Sequence, residues 1–171
     1  ISAKLIEPKH DKGIRDNFQR NKILNFSGRS IHRVSKLKRL MKAKTLVRVL
    51  ESHNALTGLI IENLKIQKRN EFLEFDGMWS SSLTDSATKG KPDNQSVDYS
   101  TRISSLNEIL DVTTKPVIFD ADNGGRDEQL PYTIKNLERL GISAIVMEDK
   151  IGSKKNSLFR NQKGVKQQSI E

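Results

Sequence analysis

Short apolar runs that end in polar residues, separated by stretches of helical periodicity, constrain this chain more than any other feature. The runs fall at residues 45–50, 75–79, 116–119 and 144–147, and the last three lead straight into Ser80, Asp120 and Glu148. Between them, apolar residues recur three and four apart. Leu56, Leu59, Ile60, Ile61 and Leu64 form one such set, Ile103, Leu106, Ile109 and Leu110 a second, and Ile134, Leu137 and Leu140 a third. That spacing gathers them on helical faces. A further helical pattern from Val34, with Leu37, Leu40 and Met41, leads up to the first run. Gly141 follows the third set, where a left-handed cap closes a helix. Apolar strands joined by amphipathic helices predict an α/β fold, a parallel sheet covered by those helices. About four strand–helix units are present, and a full (β/α)8 barrel takes roughly 250 residues. The 171 residues therefore read as the first half of a TIM-type barrel, residues 36–171, preceded by a leader of unclear role over residues 1–35. Residues 67–74 read as a charged connection, residues 80–97 as a long polar loop, and the residues after Asp149 as a Lys-, Asn-, Ser- and Gln-rich loop.

Composition narrows the class. There is no cysteine, which excludes a disulfide framework, thiolate nucleophiles and cysteine-based zinc sites and points to a reducing cytoplasm. No run approaches the ~18 uninterrupted apolar residues of a membrane-spanning helix, and residues 1–10 lack the apolar core of a secretory signal. The net charge of +9 is unevenly spread: +11 over residues 1–50, −6 over 51–150 and +4 over 151–171. The patterned middle is acidic and the basic flanks read as solvated tails or oligomer contacts. No zinc finger, RNA-binding aromatic motif or glycine-rich phosphate loop accompanies them, so nucleic acid is not the expected partner.

The chemistry sits at the strand ends, where α/β folds build their sites. Asp120 and Asp122 flank Ala121, and side chains two apart in an extended segment face the same side. Glu148 ends the neighbouring strand. Three carboxylates on adjacent strand ends suit Mg²⁺, which takes oxygen ligands and keeps several waters. Beside them, the loop with Lys150, Lys154, Lys155, Asn156 and Ser157 offers cations and donors suited to an anionic, phosphorylated substrate. The second strand contributes Trp79, an aromatic wall, followed by the hydroxyls and amides of Ser80, Ser81, Ser82 and Leu83, and further on by Asp93. His53 is expected to orient backbone at the end of the first strand.

These residues resemble a known family. Glu148-Asp149-Lys150, five residues, then Asn156-Ser157 is similar to the EDK-x5-NS pattern of phosphoenolpyruvate mutases, α/β barrels of the isocitrate lyase superfamily. Residues 51–56 resemble the family's first strand–helix junction, residues 79–86 its tryptophan and serine loop, and Asp120-Ala121-Asp122 its metal motif, while Asp93 falls where the family has a functional aspartate. The resemblance implies an isomerase that moves the phosphoryl group of phosphoenolpyruvate from the enol oxygen to C3, giving phosphonopyruvate for phosphonate biosynthesis. It implies Asp120 as direct Mg²⁺ ligand, with Asp122 and Glu148 holding metal-bound waters. Ser81, Ser82 and Leu83 would grip the substrate's carboxylate, and Trp79 would pack on its enol plane. Asp93 would lie near the migrating group, and Lys154, Asn156 and Ser157 would ride a gating loop. A homo-oligomer is expected of the complete protein. The C–C lyases of the superfamily use a cysteine that this chain lacks, and phosphonopyruvate hydrolase, the nearest rival, lacks the Asn. Ser82 stands where the family often has glycine, and Lys155 where it has a small residue. The later strands, which in the family supply an arginine and a histidine, lie beyond these 171 residues. The alternative of another class is a non-catalytic fragment whose basic flanks bind a partner or nucleic acid.

Overall fold

The structure, a computed structural model, describes residues 30–69, 71–156, 158–160 and 166–169. Of the expected leader, residues 1–29 lie outside the described residues. Helices α1 (Ser30–Val34) and α2 (Lys36–Ala43) lead into strand β1 (Val49–Glu51), helix α3 (Ala55–Asn63) and a hairpin of β2 (Lys65–Lys68) and β3 (Glu71–Glu74). Strand β4 (Gly77–Ser80), helices α4 (Ser82–Thr88) and α5 (Tyr99–Val112), strand β5 (Val117–Asp120), helix α6 (Leu130–Leu140) and strand β6 (Ala144–Val146) complete the order. Strands β1, β4, β5 and β6 form one parallel sheet in that spatial order, in register Val49↔Gly77, Met78↔Val117 and Ile118↔Ala144. All four carboxyl ends therefore lie along one edge.

The core follows from the apolar runs. Met78, Val117, Phe119 and Ala121 from the sheet meet Ile61 of α3, Leu106, Ile109 and Leu110 of α5, and Leu137 of α6, all buried. Side chains satisfy free backbone groups at the starts of α3 and α5. Asn54 accepts the Thr57 N–H at 2.9 Å while the Thr57 hydroxyl accepts the Asn54 N–H at 3.2 Å, a reciprocal cap on α3. Asp98 accepts from both the N–H and the hydroxyl of Thr101 at the start of α5. Gly141 closes α6 with φ +87°, the left-handed cap expected from the sequence.

The edge opposite the strand carboxyl ends is fixed by buried cations. Arg33, 5% exposed, donates to the carbonyls of Leu110, Thr113 and Leu140, and its own carbonyl accepts the Ser143 hydroxyl at 2.6 Å. Lys36 donates to Thr114 O and Lys115 to Phe75 O. The C-terminal carbonyls of α5 and α6 thus meet a guanidinium, which suits their partial negative charge.

Three local expectations change. The first strand is shorter than residues 45–50, because Asp76 takes the Lys44 ammonium and the Arg48 N–H that a longer ladder would use. The charged connection 67–74 folds into a hairpin with β2, in register Lys65↔Glu74 and Lys68↔Glu71. Its Ile66 and Phe72 are exposed, so no buried face imposes the alternation by which a strand is read. The polar loop 80–97 contains helix α4, capped by the Ser81 hydroxyl accepting from Leu83 N–H. Among the described residues, no helix is long and apolar enough to cross a membrane.

Thr101 holds the Asp98 carboxyl below its ordinary pKa through the two bonds at the start of α5. A depressed carboxylate contributes stability that is present above its unfolded pKa and is lost as pH falls through the folded one. Asp98→Ala should therefore cost about 1 kcal/mol at neutral pH. The gap between variant and wild type should shrink once pH drops below about 4. Urea unfolding at pH 7 and pH 3 reads both values, and a gap that does not change with pH would show that the cap is not the ionised carboxylate.

Candidate active site

Parallel strands bring Glu51, Ser80, Asp120 and Val146 to one edge, and the loops leaving them build the site. Its centre is the ammonium of Lys154, delivered by the loop after β6. It donates to Ser82 Oγ at 2.6 Å, to Asp93 Oδ1 at 2.8 Å and to Asp122 Oδ1. Lys154 is 7% exposed, Asp93 6% and Asp122 3%. Burial lowers the lysine's pKa, and the bonds to Asp122 and Asp93 more than reverse it, so the ammonium is held above the ordinary lysine range.

Ser82 passes this contact on. Its hydroxyl accepts from Lys154 and donates to Asp120 Oδ2 at 2.9 Å, and its N–H reaches the same oxygen at 3.2 Å. Asp120 Oδ1 accepts the Asp122 N–H. Asp122 stands in the left-handed region, φ +52°, so it is not extended and does not present its carboxylate alongside that of Asp120. Its second oxygen takes Arg102 Nη1 at 3.3 Å.

Arg102 is a buried cation that sequence reasoning missed. It is 1% exposed, with Nε on Asp85 Oδ2 at 2.9 Å and its guanidinium 4.4 Å from the centre of the Phe119 ring. Burial pushes the Asp85 carboxyl up, against the pull of Arg102. Asp85 Oδ1 and Arg102 Nη2 are buried with no hydrogen-bond partner among the described residues. Tyr99, also missed, donates its hydroxyl to Ala121 O. Burial first, then the Asp122 carboxylate, pushes its pKa up to about 12. The available signal was faint: Arg102 lies on the apolar face of α5, one position from Ile103 and four from Leu106.

The expected set divides. Asp93, Lys154, Ser82, Asp120 and Asp122 meet in one cluster. Trp79 and Ser81 are half-buried and Leu83 exposed beside it. Asn156 is buried, its Oδ1 accepting the Leu158 N–H at 3.0 Å, which leaves the amide NH2 as its donor. Ser157 lies outside the described residues. His53 pairs Nδ1 with Glu51 Oε2 at 3.2 Å, and Glu51 in turn accepts the Thr84 hydroxyl at 2.6 Å. Glu148 does not join Asp120 and Asp122. Its N–H bonds Asp122 O, while its half-exposed carboxylate pairs with Lys150. Among the described residues no three acidic or histidine side chains converge as a metal cage, because Lys154, Arg102 and Lys150 hold Asp122 and Glu148.

The donor chemistry nevertheless fits a hard divalent cation. Asp85, Asp93, Asp120 and Asp122 carry four negative charges against the two positive charges of Arg102 and Lys154. Asp120 makes no ion pair with a described residue. A cation that keeps most of its water shell needs few protein ligands.

Arg102→Leu should lower the unfolding free energy by about 3–5 kcal/mol, because it leaves the buried Asp85 carboxylate without its cation. Adding Asp85→Leu should recover most of that loss, since the pair is then replaced by apolar groups. Urea titration of the three variants closes the cycle. A loss in the double variant equal to the sum of the two single losses would mean that the two residues do not act as a unit.

Residues 37–169 match the family described as phosphoenolpyruvate phosphomutase. A phosphoenolpyruvate phosphomutase of Tetrahymena pyriformis is 32% identical over 131 residues, covering 76% of this chain and 41% of that protein. The crystal structure of a phosphoenolpyruvate phosphomutase from Streptomyces platensis subsp. rosaceus superposes with a TM-score of 0.67 at 29% identity, over 79% of this chain and 44% of that one. A phosphonopyruvate hydrolase crystallised with oxalate and Mg++ follows with a TM-score of 0.59 at 28% identity, over 69% and 39%. The chain spans about two fifths of the length of these relatives, and its four parallel strands are those of the superfamily's barrel. A match that runs from α2 through the Lys154 loop, on a sheet that superposes on the mutase barrel, makes this chain a member of the phosphoenolpyruvate phosphomutase family.

Proposed function

We propose that the complete protein interconverts phosphoenolpyruvate and phosphonopyruvate by moving the phosphoryl group between the enol oxygen and C3. The main support is Lys154, which crosses from the β6 loop to Asp93 and Asp122 and so brings a loop cation, a candidate phosphoryl-side carboxylate and the metal motif into one buried cluster. Asp120 would hold Mg²⁺ directly, with Asp122 and Glu148 reaching it through water. The cation, when bound, supplies stabilisation of enolate charge.

The chain's own residues do the rest. The N–H groups of Ser82 and Leu83 and the Ser82 hydroxyl, which hold Asp120 and Ser81 here, are the donors that turn to the substrate's carboxylate. Trp79 lies flat on the enol plane. Asp93, kept beside Lys154, positions the migrating group, and Lys154 offsets its charge as the P–O bond breaks and the P–C bond forms. Asn156 donates its NH2 to the phosphoryl oxygens without adding charge, and Ser157 adds a hydroxyl on the same loop. Keeping water from a loosely bonded phosphoryl group is the central demand, and a closed loop meets it. Phosphonopyruvate hydrolysis is the second reading, favoured by the similarity to the hydrolase. Asn156 favours the mutase, because a neutral donor that holds the group allows its recapture by carbon.

Two outcomes test this in the complete protein, by phosphorus NMR on phosphonopyruvate. Phosphoenolpyruvate should appear with little free phosphate, and Asn156→Ala should lose about a hundredfold in rate, the worth of one donor to developing charge. A phosphate peak growing without phosphoenolpyruvate would establish the hydrolase instead. Asp120→Ala should abolish Mg²⁺-dependent turnover while thermal stability without metal holds or rises, since one of several like charges is removed. Undiminished turnover in that variant would refute the metal assignment.

A further inference from the structure

Asn123 takes no part in the proposed chemistry, yet its side chain joins the three loops that carry the cluster. Its Nδ2 donates to the Gly152 carbonyl at 3.0 Å, two residues before Lys154. Its Oδ1 accepts from Gln95 Nε2 at 2.5 Å, two residues after Asp93, and from the Gly125 N–H at 3.2 Å, in the loop that follows Asp122. Only an amide of this length can accept from two loops and donate to a third. A carboxylate lacks the donor and a hydroxyl lacks the reach.

The backbone around these attachments is held in unusual conformations. Gln95 and Asp122 are non-glycine residues in the left-handed region, at φ +65° and +52°, and such conformations persist where neighbouring bonds fix them. Gly152 has φ +90° and open space where a Cβ would stand, with no atom within 4 Å. Packing does not hold the loop there. Ile151, Gly152 and Ser153 are all exposed. Beyond the Glu148 N–H on the Asp122 carbonyl at the loop's base, the loop's polar links to the site's walls among the described residues are the Lys154 ammonium and the Asn123 amide. The Ile151 N–H goes to Lys166, away from the cluster in sequence. A cavity of about 600 Å³ opens beside this junction, lined by Gln95, Tyr99, Asp122, Asn123, Arg126 and Gly152 among others.

We propose that Asn123 is a positioning residue that latches the Lys154 loop over the site, and that its hydrogen bond to Gly152 sets how long the loop excludes water. Lys154 must exchange partners when an anionic substrate arrives, so it cannot by itself keep the loop in place through the reaction. Asn123 touches neither the cluster's charges nor the reacting group and can keep its bond throughout. The chemical consequence rests on the proposed mutase reaction: a loop that opens too often lets water take the phosphoryl group. The structural consequence does not depend on that reaction.

The test uses the complete protein as wild type, Asn123→Ala and Asn123→Asp. The Asp variant keeps both acceptor bonds and exchanges the donor for a carboxylate oxygen that the Gly152 carbonyl repels, so it retains the junction between the Gln95 and Gly125 loops even where Ala fails to fold. Hydrogen exchange, followed by mass spectrometry over residues 150–155, should speed up about tenfold in each folded variant, the worth of one such bond, with exchange in β4 and β5 unchanged. On phosphonopyruvate, KM should rise more than kcat falls, and the share of free phosphate should grow. Unaltered exchange in the Asp variant overturns the latch, whatever the activity. Faster exchange with wild-type KM and phosphate share overturns its role in excluding water. Faster exchange in a protein whose wild type does not convert phosphonopyruvate leaves the latch standing and overturns the mutase reading instead.

Discussion

A single ammonium, that of Lys154, holds the functional edge of this molecule together. It reaches three oxygens, one at the start of helix α4, one on the loop after that helix and one on the loop after β5, and two of them belong to carboxylates that are themselves almost fully buried. Buried carboxylates without cations would be costly. Lys154 between Asp93 and Asp122 offsets that cost, which links the loop's position to the charge of the site. Arg102 supplies the second cation from beneath, through Asp122 and Asp85. It lies on a helix in the core and has no need to move. The site has one cation on a core helix and one on a loop, and they share a carboxylate, that of Asp122.

The two edges of the sheet are specialised in opposite ways. At the strand carboxyl ends, carboxylates exceed their local cations, and Asp120 makes no ion pair among the described residues. At the other edge Arg33, Lys36 and Lys115 satisfy carbonyls at helix and strand ends, and Glu62 accepts the hydroxyls of Thr113 and Thr114 at 2.6 and 2.9 Å. The cations and the carboxylate there are engaged by carbonyls and hydroxyls of the fold itself. An α/β sheet built from successive strand–helix units puts chemistry at one edge and stability at the other because every strand runs the same way.

The comparison of mutase and hydrolase turns on water rather than on the cluster. Both reactions need the same grip on a carboxylate and the same stabilisation of an enolate. They differ in whether the phosphoryl group meets carbon or water first. In the proposed reading that choice belongs to the loop carrying Lys154 and Asn156, which is why a side chain outside the cluster, Asn123, gains importance. The left-handed backbone at Asp122, Gln95 and Gly152 shows how closely the three loops are constrained where they meet.

The sequence by itself determined the alternation of strands and helices, the cap at Gly141 and the grouping of polar residues at strand ends. Each is a local matter of periodicity or backbone freedom. It also marked Asp93, Asp120, Asp122, Lys154 and Asn156 as chemistry, through resemblance and spacing. The hairpin at residues 65–74 and helix α4 escaped, because exposed or polar elements have no buried face to impose a period. Only the tertiary structure decided how the charges pair. Lys154 and Ser82 are 72 residues apart, and Arg33 and Leu140 are 107 apart. It also turned Glu148 toward Lys150, set Asp122 into a left-handed turn, and put Arg102 and Asp85 beneath it. Local pattern fixes which face of an element is apolar, but the partner of a buried charge depends on which loops the parallel sheet brings within hydrogen-bond reach.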